Sequence, residues 1–439
     1  MRIFIVGAGL IGERIVSALH ADHDLTVVDL DPARLKPLAQ HYDVATARAN
    51  AASGRDLMHA GIADAELVIT CTSRDEANLV AGTFARSAAP AATTIVRTQS
   101  ADYVDIWREG RIDVDFVVSS ELETARGVTT AIGMPAARHT DMFAEGRVQV
   151  VELDVPATAN VVRRTLRAAQ LPSESRVAGI IRGGRAVLVR GDAEIEPGDR
   201  LVVLGSPRAA REWCQLVAPR RAEVHDVAVW GAQELGAAIA HALVEQGLNV
   251  KVIEPDAERA GRLAERLPRA RVFHTDGLDP AFLQREGIAR IQAAIFAMRD
   301  DARNLFAAAV AQLHGVGYTI ALAHSPVSAQ AYERHGIDAV VDPLLVTAEE
   351  IVRFAHDPRT HQMAMLEGDR FMVLDLTTRD DSELLHVPIR EMPARGALIG
   401  AIVRNGEAIF PHGDDVLRGG DRVIVFTEAA RAAEVERAL

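Results

Sequence analysis

A glycine-rich turn occurs twice in this 439-residue chain, once near the start of each half. It reads Gly-Ala-Gly-Leu-Ile-Gly over residues 7–12 and returns, altered, as Gly-Ala-Gln-Glu-Leu-Gly over residues 231–236. The first copy follows a short apolar run and precedes apolar residues at helical spacing, which predicts a strand, a tight turn and a helix. A recurring unit of this kind predicts a chain duplicated from one structural plan.

Three further pairs of similar segments support the duplication. They are residues 75–79 with 301–305, 113–118 with 336–341, and 197–204 with 419–426. The separation between partners changes by only a few residues along the chain, as loop-sized insertions within one repeated plan would produce.

The first part of each half predicts an α/β fold. In the first half, apolar strand-like runs alternate with helical segments, which is typical of a doubly wound, Rossmann-like parallel sheet. The predicted strands are Met1–Val6, Leu25–Val28, Leu67–Thr72, Thr93–Arg97 and Phe116–Val118.

A small α+β domain follows each parallel sheet in this prediction. Its first copy has a strand over Arg147–Val155, a helix over Val161–Ala169 and a hairpin of Val177–Ile181 with Ala186–Val189. In the second copy Asn405-Gly406 is the predicted hairpin turn. The predicted domains are 1–135, 147–218, 225–354 and 370–439, and residues 134–146 and 355–369 are predicted linkers.

Composition excludes several classes of protein. The chain is 49% hydrophobic and 25% charged, typical of globular domains, and its net charge of −13 argues against non-specific nucleic-acid binding. No apolar run approaches the roughly 18 residues of a membrane span, and a strand from residue 3 leaves no room for a signal peptide. Cys71 and Cys214 indicate neither a disulfide framework nor a metal site. We therefore expect a cytosolic protein.

The first glycine turn predicts a dinucleotide site. Gly7 would form the tight turn, Gly9 would let the backbone approach a pyrophosphate, and Gly12 would allow close packing of helix on strand. The N–H groups at the helix N-terminus favour phosphate. Asp29, at the end of the second predicted strand, would accept hydrogen bonds from a ribose diol, which favours NAD(H) or an adenosine nucleotide over a 2′-phosphorylated cofactor. The alternative is the same turn in a sheet that binds nothing.

The whole chain resembles the TrkA family, the cytosolic regulators of Trk-type potassium uptake. Chains of this family contain two RCK modules, each with a nucleotide domain and a C-terminal domain. The most specific segments are Gly7–Gly12 with Asp29, Thr72–Asn78, Arg97 with Asp102–Val104, and Ser119–Glu121.

The resemblance implies a role for each residue of the first site. The backbone from Gly7 to Ile11 would hold the pyrophosphate, through Gly7, Ala8, Gly9, Leu10 and Ile11, before Gly12 packs the helix. The other implied contacts are Asp29 with the ribose, Asn50 with adenine, Thr72 and Ser73 with the crevice wall, Arg97 with a phosphate, and Glu121 with a ribose or a neighbouring subunit. Many relatives have proline where this chain has Ser120, so the loop before Glu121 departs from the family pattern. As an alternative to a role in ligand binding, Asp75 and Asn78 would hold a helix in place. The corresponding alternative for Arg97 is a surface ion pair.

The second site is degenerate. Gly231, Gly236, the acidic Glu254 and, in the place of Asn50, Asp276 are retained as ligand-binding candidates. Gln233, however, replaces the middle glycine and would crowd a pyrophosphate. Leucines replace the phosphate arginine and Glu121, at Leu322 and Leu344. We expect this site to bind weakly, to take another ligand or to be vestigial.

The resemblance implies a nucleotide-sensing gating subunit, with no catalytic residues and no metal site. Its partner would be a membrane potassium-translocating subunit of the Trk type, and it would form a homotetramer in the cytoplasm at the inner face of the membrane. NAD(H) is the implied ligand, with ATP and ADP as alternatives. A regulator of another cation transporter or antiporter is the main alternative function. An NAD-dependent oxidoreductase is disfavoured, because no histidine lies beside a predicted strand end with a matching carboxylate.

Overall fold

The computed structural model describes residues 1–439 apart from 22, 136, 170, 184, 189–190, 219–223, 354–359, 367–369 and 393–396. The chain begins with a six-stranded parallel sheet in the order β3-β2-β1-β4-β5-β6, which confirms the Rossmann-like prediction. Its elements are β1 (Arg2–Val6), α1 (Leu10–Leu19), β2 (Asp24–Asp29), α2 (Pro32–His41), β3 (Ala45–Arg48), α3 (Gly54–His59), β4 (Leu67–Thr70), α4 (Asp75–Ala88), β5 (Thr93–Thr98), α5 (Asp102–Arg108), β6 (Phe116–Ser119) and α6 (Ser120–Gly133).

The strand order indicates where the ligand-binding crevice of this sheet lies. The order reverses between β1 and β4, and ligands of doubly wound sheets bind outside the carboxyl ends of the strands at such a point. Strand β3 is absent from the sequence prediction. Its four residues lie at the sheet edge and are largely exposed, so they carry no apolar pattern.

An antiparallel sheet of order β10-β9-β11-β8-β7 follows. Its elements are β7 (Ala137–Phe143), β8 (Val148–Asp154), β9 (Ser175–Arg182), β10 (Arg185–Leu188), β11 (Arg200–Gly205) and α7 (Pro207–Val217). The predicted hairpin is confirmed as β9 and β10, although Gly184 in its turn and Val189 lie outside the described residues.

Two predictions for this region are wrong. Residues 161–169 form turns instead of a helix, because Arg163 has a φ of 60° and its N–H bonds the Ile195 carbonyl. The linker predicted over 134–146 contains β7, which pairs with β8. Phe143, at the end of β7, is fully buried, so this stretch belongs to the packed domain.

The second half repeats both sheets. Its parallel sheet has the order β14-β13-β12-β15-β16-β17. The elements are β12 (Asp226–Trp230), α8 (Glu234–Glu245), β13 (Asn249–Glu254), α9 (Ala257–Arg266), β14 (Arg271–His274), α10 (Pro280–Arg285), β15 (Ala293–Phe296), α11 (Asp301–Leu313), β16 (Tyr318–Leu322), α12 (Pro326–Arg334), β17 (Ala339–Val341) and α13 (Pro343–Arg353).

The last sheet is antiparallel, in the order β18-β19-β22-β20-β21. Its elements are β18 (Thr360–Leu366), β19 (Phe371–Thr377), β20 (Ala397–Arg404), β21 (Glu407–Ile409), β22 (Arg422–Glu428) and α14 (Ala432–Ala438). Of the second predicted linker, 355–359 and 367–369 lie outside the described residues and 360–366 form β18. Asn405 and Gly406 have φ values of 51° and 81°, which matches the predicted hairpin turn.

The chain divides into two compact units, each with residues from both halves. One comprises residues 1–129 and 225–355, the two parallel sheets; the other comprises 130–224 and 356–439, the two antiparallel sheets. Across the described residues, no helix is both long and apolar enough to span a membrane.

Candidate functional site

The first glycine turn has the backbone geometry that its sequence predicts. Gly7 has a φ of 116°, and a Cβ atom added there would lie 2.8 Å from the backbone nitrogen of Thr72. A Cβ atom at Gly12 would lie 2.0 Å from the Gly7 carbonyl oxygen. At Gly9 the nearest atom would be 3.7 Å away, on Arg34. The packing of the backbone therefore requires glycine at positions 7 and 12, whereas the space in front of Gly9 is open to a ligand.

Helix α1 presents its N-terminus to this space. Gly9 is its N-cap residue, and no side chain among the described residues caps the helix. Leu10, in the first turn, is 62% exposed. The first N–H groups and the positive end of the helix dipole are thus available to an anion.

Asp29 lies at the end of β2 beside the turn. Its Oδ2 accepts a hydrogen bond of 2.8 Å from the Ala8 N–H, and its Oδ1 accepts one of 2.8 Å from the Asp31 N–H. The half-buried carboxylate is held by backbone groups, and each of its oxygens has a further lone pair for a hydroxyl. This geometry suits a carboxylate that receives a ribose diol.

Arg34, in the first turn of α2, is a residue that sequence reasoning missed. Its guanidinium lies next to the open space at Gly9 and is 55% exposed, with Asp31 at 3.9 Å. A basic residue five positions beyond the acidic strand end is the signal that could have found it. It adds an exposed positive charge to the rim of the crevice.

Asn78 and Asp75 support the site structurally. The fully buried Asn78 side chain accepts a hydrogen bond from the Thr72 N–H at 2.8 Å and donates to the Arg97 carbonyl at 2.9 Å. Asp75 accepts bonds from the Gln99 N–H, at 2.9 and 3.0 Å. These contacts join the carboxyl ends of β4 and β5, in agreement with the structural alternative for both residues.

Arg97 is a buried cation at the end of β5. Its side chain is only 7% exposed, its Nε donates to the Ser120 hydroxyl at 3.0 Å, and its Nη1 donates to the Thr72 carbonyl at 3.3 Å. None of the described carboxylates lies within 4.0 Å of it, and burial lowers the pKa of the guanidinium. Arg97 is therefore not a surface ion-pair partner, and its charge is free to meet an anionic ligand.

Glu121 lies at the start of α6, half-buried, and accepts a hydrogen bond of 3.0 Å from the Ala101 N–H. Burial raises the pKa of its carboxyl group, and the negative charges of Glu234, Asp102 and Asp75 raise it further. Glu234 belongs to the second half of the chain. Glu121 thus lies where the two Rossmann-like domains of this unit approach each other.

The other predicted contacts lie at the carboxyl side of the sheet. Asn50 follows β3, is exposed, and accepts a hydrogen bond from the Ala52 N–H at 3.0 Å. Ser73 is exposed beyond β4 and lines a surface cavity of about 560 Å³ together with Gln99 and Tyr103. Thr72 is half-buried, and its hydroxyl bonds Asn78 at 2.6 Å.

The second glycine turn keeps the same backbone. Gly231 has a φ of 99°, and a Cβ atom at Gly236 would lie 2.0 Å from the Gly231 carbonyl oxygen. Gln233 is the N-cap residue of α8. Its side-chain Oε1 is buried, with no hydrogen-bond partner in the described part of the chain. The space that is open at Gly9 therefore contains a side chain at Gln233.

Glu254, the counterpart of Asp29, is already paired. It is 1% exposed and accepts hydrogen bonds from the Ala232 N–H at 2.7 Å and from the Arg259 guanidinium at 2.8 Å. Arg259 occupies the position equivalent to Arg34 of the first half, but its guanidinium contacts Glu254 at the end of the strand. A ribose diol would have to displace a buried ion pair here.

Glu234 occupies the N-terminus of α8. Its own backbone N–H lowers the pKa of its carboxyl group, and Arg299 and Arg259 lower it further. Arg299 donates to Glu234 Oε2 at 2.9 Å. The positive end of this helix therefore already faces a carboxylate of the chain itself.

Three more positions of the second crevice differ from those of the first, namely Leu322, Asp276 and Leu344. Leu322 is fully buried at the end of β16, so no arginine faces this crevice from that strand. Asp276 is exposed and accepts a hydrogen bond from the Leu278 N–H at 3.1 Å. Leu344 is the second residue of α13, the helix that packs against α1. The second crevice is thus built on the same backbone with different chemistry.

Family models match almost the whole of this architecture. The TrkA-N domain model matches residues 3–120 and 227–343, and the TrkA-C domain model matches residues 150–218 and 373–439. The chain belongs to the TrkA family. The resemblance inferred from the sequence is confirmed, and both halves carry both family domains.

Two full-length relatives agree with this assignment. The Trk system potassium uptake protein TrkA homolog of Archaeoglobus fulgidus is 28% identical over 439 residues, covering 99% of each chain. TrkA homolog 1 of Methanosarcina mazei is 27% identical over 447 residues, covering 100% of this chain and 99% of the relative.

Solved structures share the fold at low sequence identity. The GsuK RCK domain has a TM-score of 0.60 at 17% identity, covering 100% of this chain and 94% of the other. The GsuK channel bound to NAD has a TM-score of 0.61 at 17% identity, covering 100% and 78%. The tandem arrangement of parallel and antiparallel sheets is therefore that of RCK domains.

Proposed function

We propose that this TrkA-family chain is the nucleotide-sensing regulatory subunit of a membrane potassium-uptake system. It acts from the cytoplasm, at the inner face of the membrane, and binds a Trk-type potassium-translocating subunit. The observation that carries the proposal is the open first crevice in a full-length TrkA-family chain: an uncapped helix N-terminus, Asp29 beside it and the unpaired charge of Arg97. The names of the full-length relatives support the link to potassium.

NAD(H) is the proposed ligand of the first crevice. The backbone from Gly7 to Ile11 binds the pyrophosphate, Asp29 the adenosine ribose and Asn50 the adenine. Arg97 binds a phosphate, with Thr72 and Ser73 in the wall and Glu121 at the domain boundary. The similar fold of a GsuK channel bound to NAD supports this choice. ADP, bound in a further GsuK structure, and ATP are the alternative ligands.

Regulation proceeds by population shift in this proposal. Four chains assemble into a ring of eight Rossmann-like domains beneath the membrane subunit, and the nucleotide favours one ring shape. The coupling is limited by the difference in ligand affinity between the two shapes. Catalysis is not part of the proposal, which gives each of these crevice residues a role in binding.

The test measures NADH binding and ion uptake in the same variant. Asp29→Ala removes the ribose acceptor, and losing hydrogen bonds to a charged group costs about 1.5–3 kcal/mol, or roughly ten- to hundred-fold in NADH affinity. Calorimetric titration measures the affinity. Rubidium uptake is measured in cells that lack the gene and carry either the wild type or the variant.

The exposed Asp43→Ala, in the loop before β3, is the matched control, and it should bind NADH and support uptake nearly as the wild type does. Identification of the membrane protein that copurifies with the chain decides the partner. Equal NADH affinity of wild type and Asp29→Ala would refute the site. Normal rubidium uptake without the gene, or copurification of a different ion transporter, would refute the potassium assignment.

A further inference from the structure

A series of buried hydrogen bonds leads from the first crevice to the second half of the chain. The Nε–H group of Arg97 donates to the Ser120 hydroxyl at 3.0 Å. That hydroxyl lies 3.1 Å from the hydroxyl of Thr347, which bonds the Pro343 carbonyl at 2.6 Å. Arg97, Ser120 and Thr347 are all buried, where hydrogen bonds are electrostatically stronger than in water. The contact between Ser120 and Thr347 therefore joins α6 of the first half to α13 of the second.

The first two residues of this series are not repeated in the second half. Leu322 takes the place of Arg97 at the end of β16, and Pro343 takes the place of Ser120 at the start of α13. Leucine and proline side chains neither donate nor accept hydrogen bonds. The series therefore runs from the first crevice to the second half and is not mirrored in the other direction.

The Arg97 guanidinium retains donors for a ligand. Of its five N–H groups, one bonds the Ser120 hydroxyl and one bonds the Thr72 carbonyl. A phosphate on the remaining N–H groups would form charge-assisted hydrogen bonds, which are roughly twice as strong as neutral ones. Such bonds would fix the guanidinium, and with it the Nε–H group that contacts Ser120.

We propose that Ser120 is a positioning residue that couples nucleotide binding in the first crevice to α13 of the second half. A phosphate that fixes Arg97 also fixes the Ser120 and Thr347 hydroxyls, and α13 precedes β18 of the second antiparallel sheet. Coupling between two sites is reciprocal. Loss of the Thr347 hydroxyl must therefore weaken nucleotide binding, although Thr347 belongs to the other half. The inference rests on the proposed NADH site in the first crevice.

Calorimetric titration of NADH into the full-length protein measures this coupling in a double-mutant cycle of Ser120→Ala and Thr347→Val. Thr124→Val is the matched control. Thr124 and Thr347 are both fully buried, and each hydroxyl bonds the carbonyl four residues earlier at 2.6 Å. The two differ because the Thr347 hydroxyl, in addition, lies 3.1 Å from the Ser120 hydroxyl. Amide hydrogen exchange of residues 343–353, with and without NADH, reports on α13 itself, and circular dichroism checks the fold of each variant.

We expect Thr347→Val to weaken NADH binding at least about threefold, the effect of one hydrogen bond, and Thr124→Val to leave it unchanged. In the Ser120→Ala background, Thr347→Val should cause no further loss. NADH should slow amide exchange in α13 of the wild type and not in α13 of Ser120→Ala.

The inference is overturned if Thr347→Val binds NADH as the wild type does, if Thr124→Val weakens binding equally, or if the two losses in the cycle add. It is also overturned if NADH affects exchange in α13 equally in wild type and Ser120→Ala, and this comparison decides if Thr347→Val does not fold. These results would leave the NADH site itself intact. Absence of NADH binding to the wild type would instead overturn both the site and the coupling.

Discussion

At the scale of single residues, one difference between the two crevices is the direction in which an equivalent arginine points. Arg34 and Arg259 occupy equivalent positions, five residues beyond Asp29 and Glu254. Arg34 remains 55% exposed at the rim of the first crevice. Arg259 instead donates at 2.8 Å to the buried Glu254. The same residue type therefore leaves one strand-end acid open to a ribose and closes the other.

Arg97 offers the sharpest single-residue test of the first crevice. The second half has Leu322 at the equivalent strand end, fully buried, so the fold accepts leucine there. Arg97→Leu should therefore fold and lose a charge-assisted hydrogen bond worth about 1.5–3 kcal/mol, which weakens NADH binding roughly ten- to hundred-fold. Calorimetric titration measures this change.

Ser120→Ala separates the charge of Arg97 from its position. It removes the hydroxyl that accepts from Arg97 Nε at 3.0 Å and leaves the guanidinium in place. We expect a smaller loss of NADH affinity than in Arg97→Leu. If both variants bind NADH as tightly as the wild type, Arg97 does not contact the ligand.

At the scale of elements, the sequence predicts most of the parallel-sheet plan. Five strands of the first sheet, the glycine turns and the Asn405-Gly406 hairpin follow from apolar runs and turn residues, which are local signals. Strand β3 and the turns at 161–169 do not, since they depend on backbone pairing with distant segments such as 191–195. The burial of Phe143 in a core shared with β19 and β22 is equally non-local.

The features of the two crevices also divide into those that the sequence predicts and those that it does not. The positions of Gly7, Gly12 and Asp29 follow from spacing alone, because turn geometry requires them. The pairing of Glu234 with Arg299 and of Glu254 with Arg259 depends on side-chain orientation across the crevice. No sequence pattern distinguishes Arg259, which turns inward, from Arg34, which does not.

These pairings predict which substitutions would allow the second glycine turn to bind NADH. Replacing Gln233 with glycine and Glu234 with leucine restores the Gly-Leu pair of the first turn and clears the α8 N-terminus. In an Asp29→Ala background, which weakens the first crevice, we expect this double variant to gain NADH affinity. The gain should be at least about tenfold, since the repulsion between the Glu234 carboxylate and the phosphates and the steric block of the Gln233 side chain are both removed.

Glu245→Leu, at the far end of α8, is the control, since it removes an exposed acid without touching the turn. Calorimetric titration in the same background measures both variants. An unchanged affinity in the double variant would mean that Gln233 and Glu234 are not what prevents NADH from binding the second crevice.

At the scale of the whole molecule, duplication has produced two composite units in place of two independent halves. Apolar residues of both antiparallel sheets form one core, including Val202 and Leu204 from β11 with Val373 and Phe426 from β19 and β22. In the other unit, α1 packs against α13. Cutting the chain between its halves would expose both contacts, so substitutions in the full-length protein are the better tests of each crevice.

Asp375 joins the two antiparallel sheets by polar contacts. It is fully buried, binds Arg422 at 2.6 and 2.8 Å, and accepts a hydrogen bond of 3.0 Å from the Ala144 N–H. Removing the carboxylate leaves the Ala144 N–H unpaired, while Arg422 keeps its hydrogen bond of 2.9 Å to Glu145. Asp375→Ala should therefore lower the free energy of unfolding by about 1–3 kcal/mol. Asp381→Ala removes the same charge from an exposed pair with Arg379 and should cost at most about 1 kcal/mol. Urea unfolding followed by circular dichroism compares the two, and equal transition midpoints would show that Asp375 does not hold the sheets together.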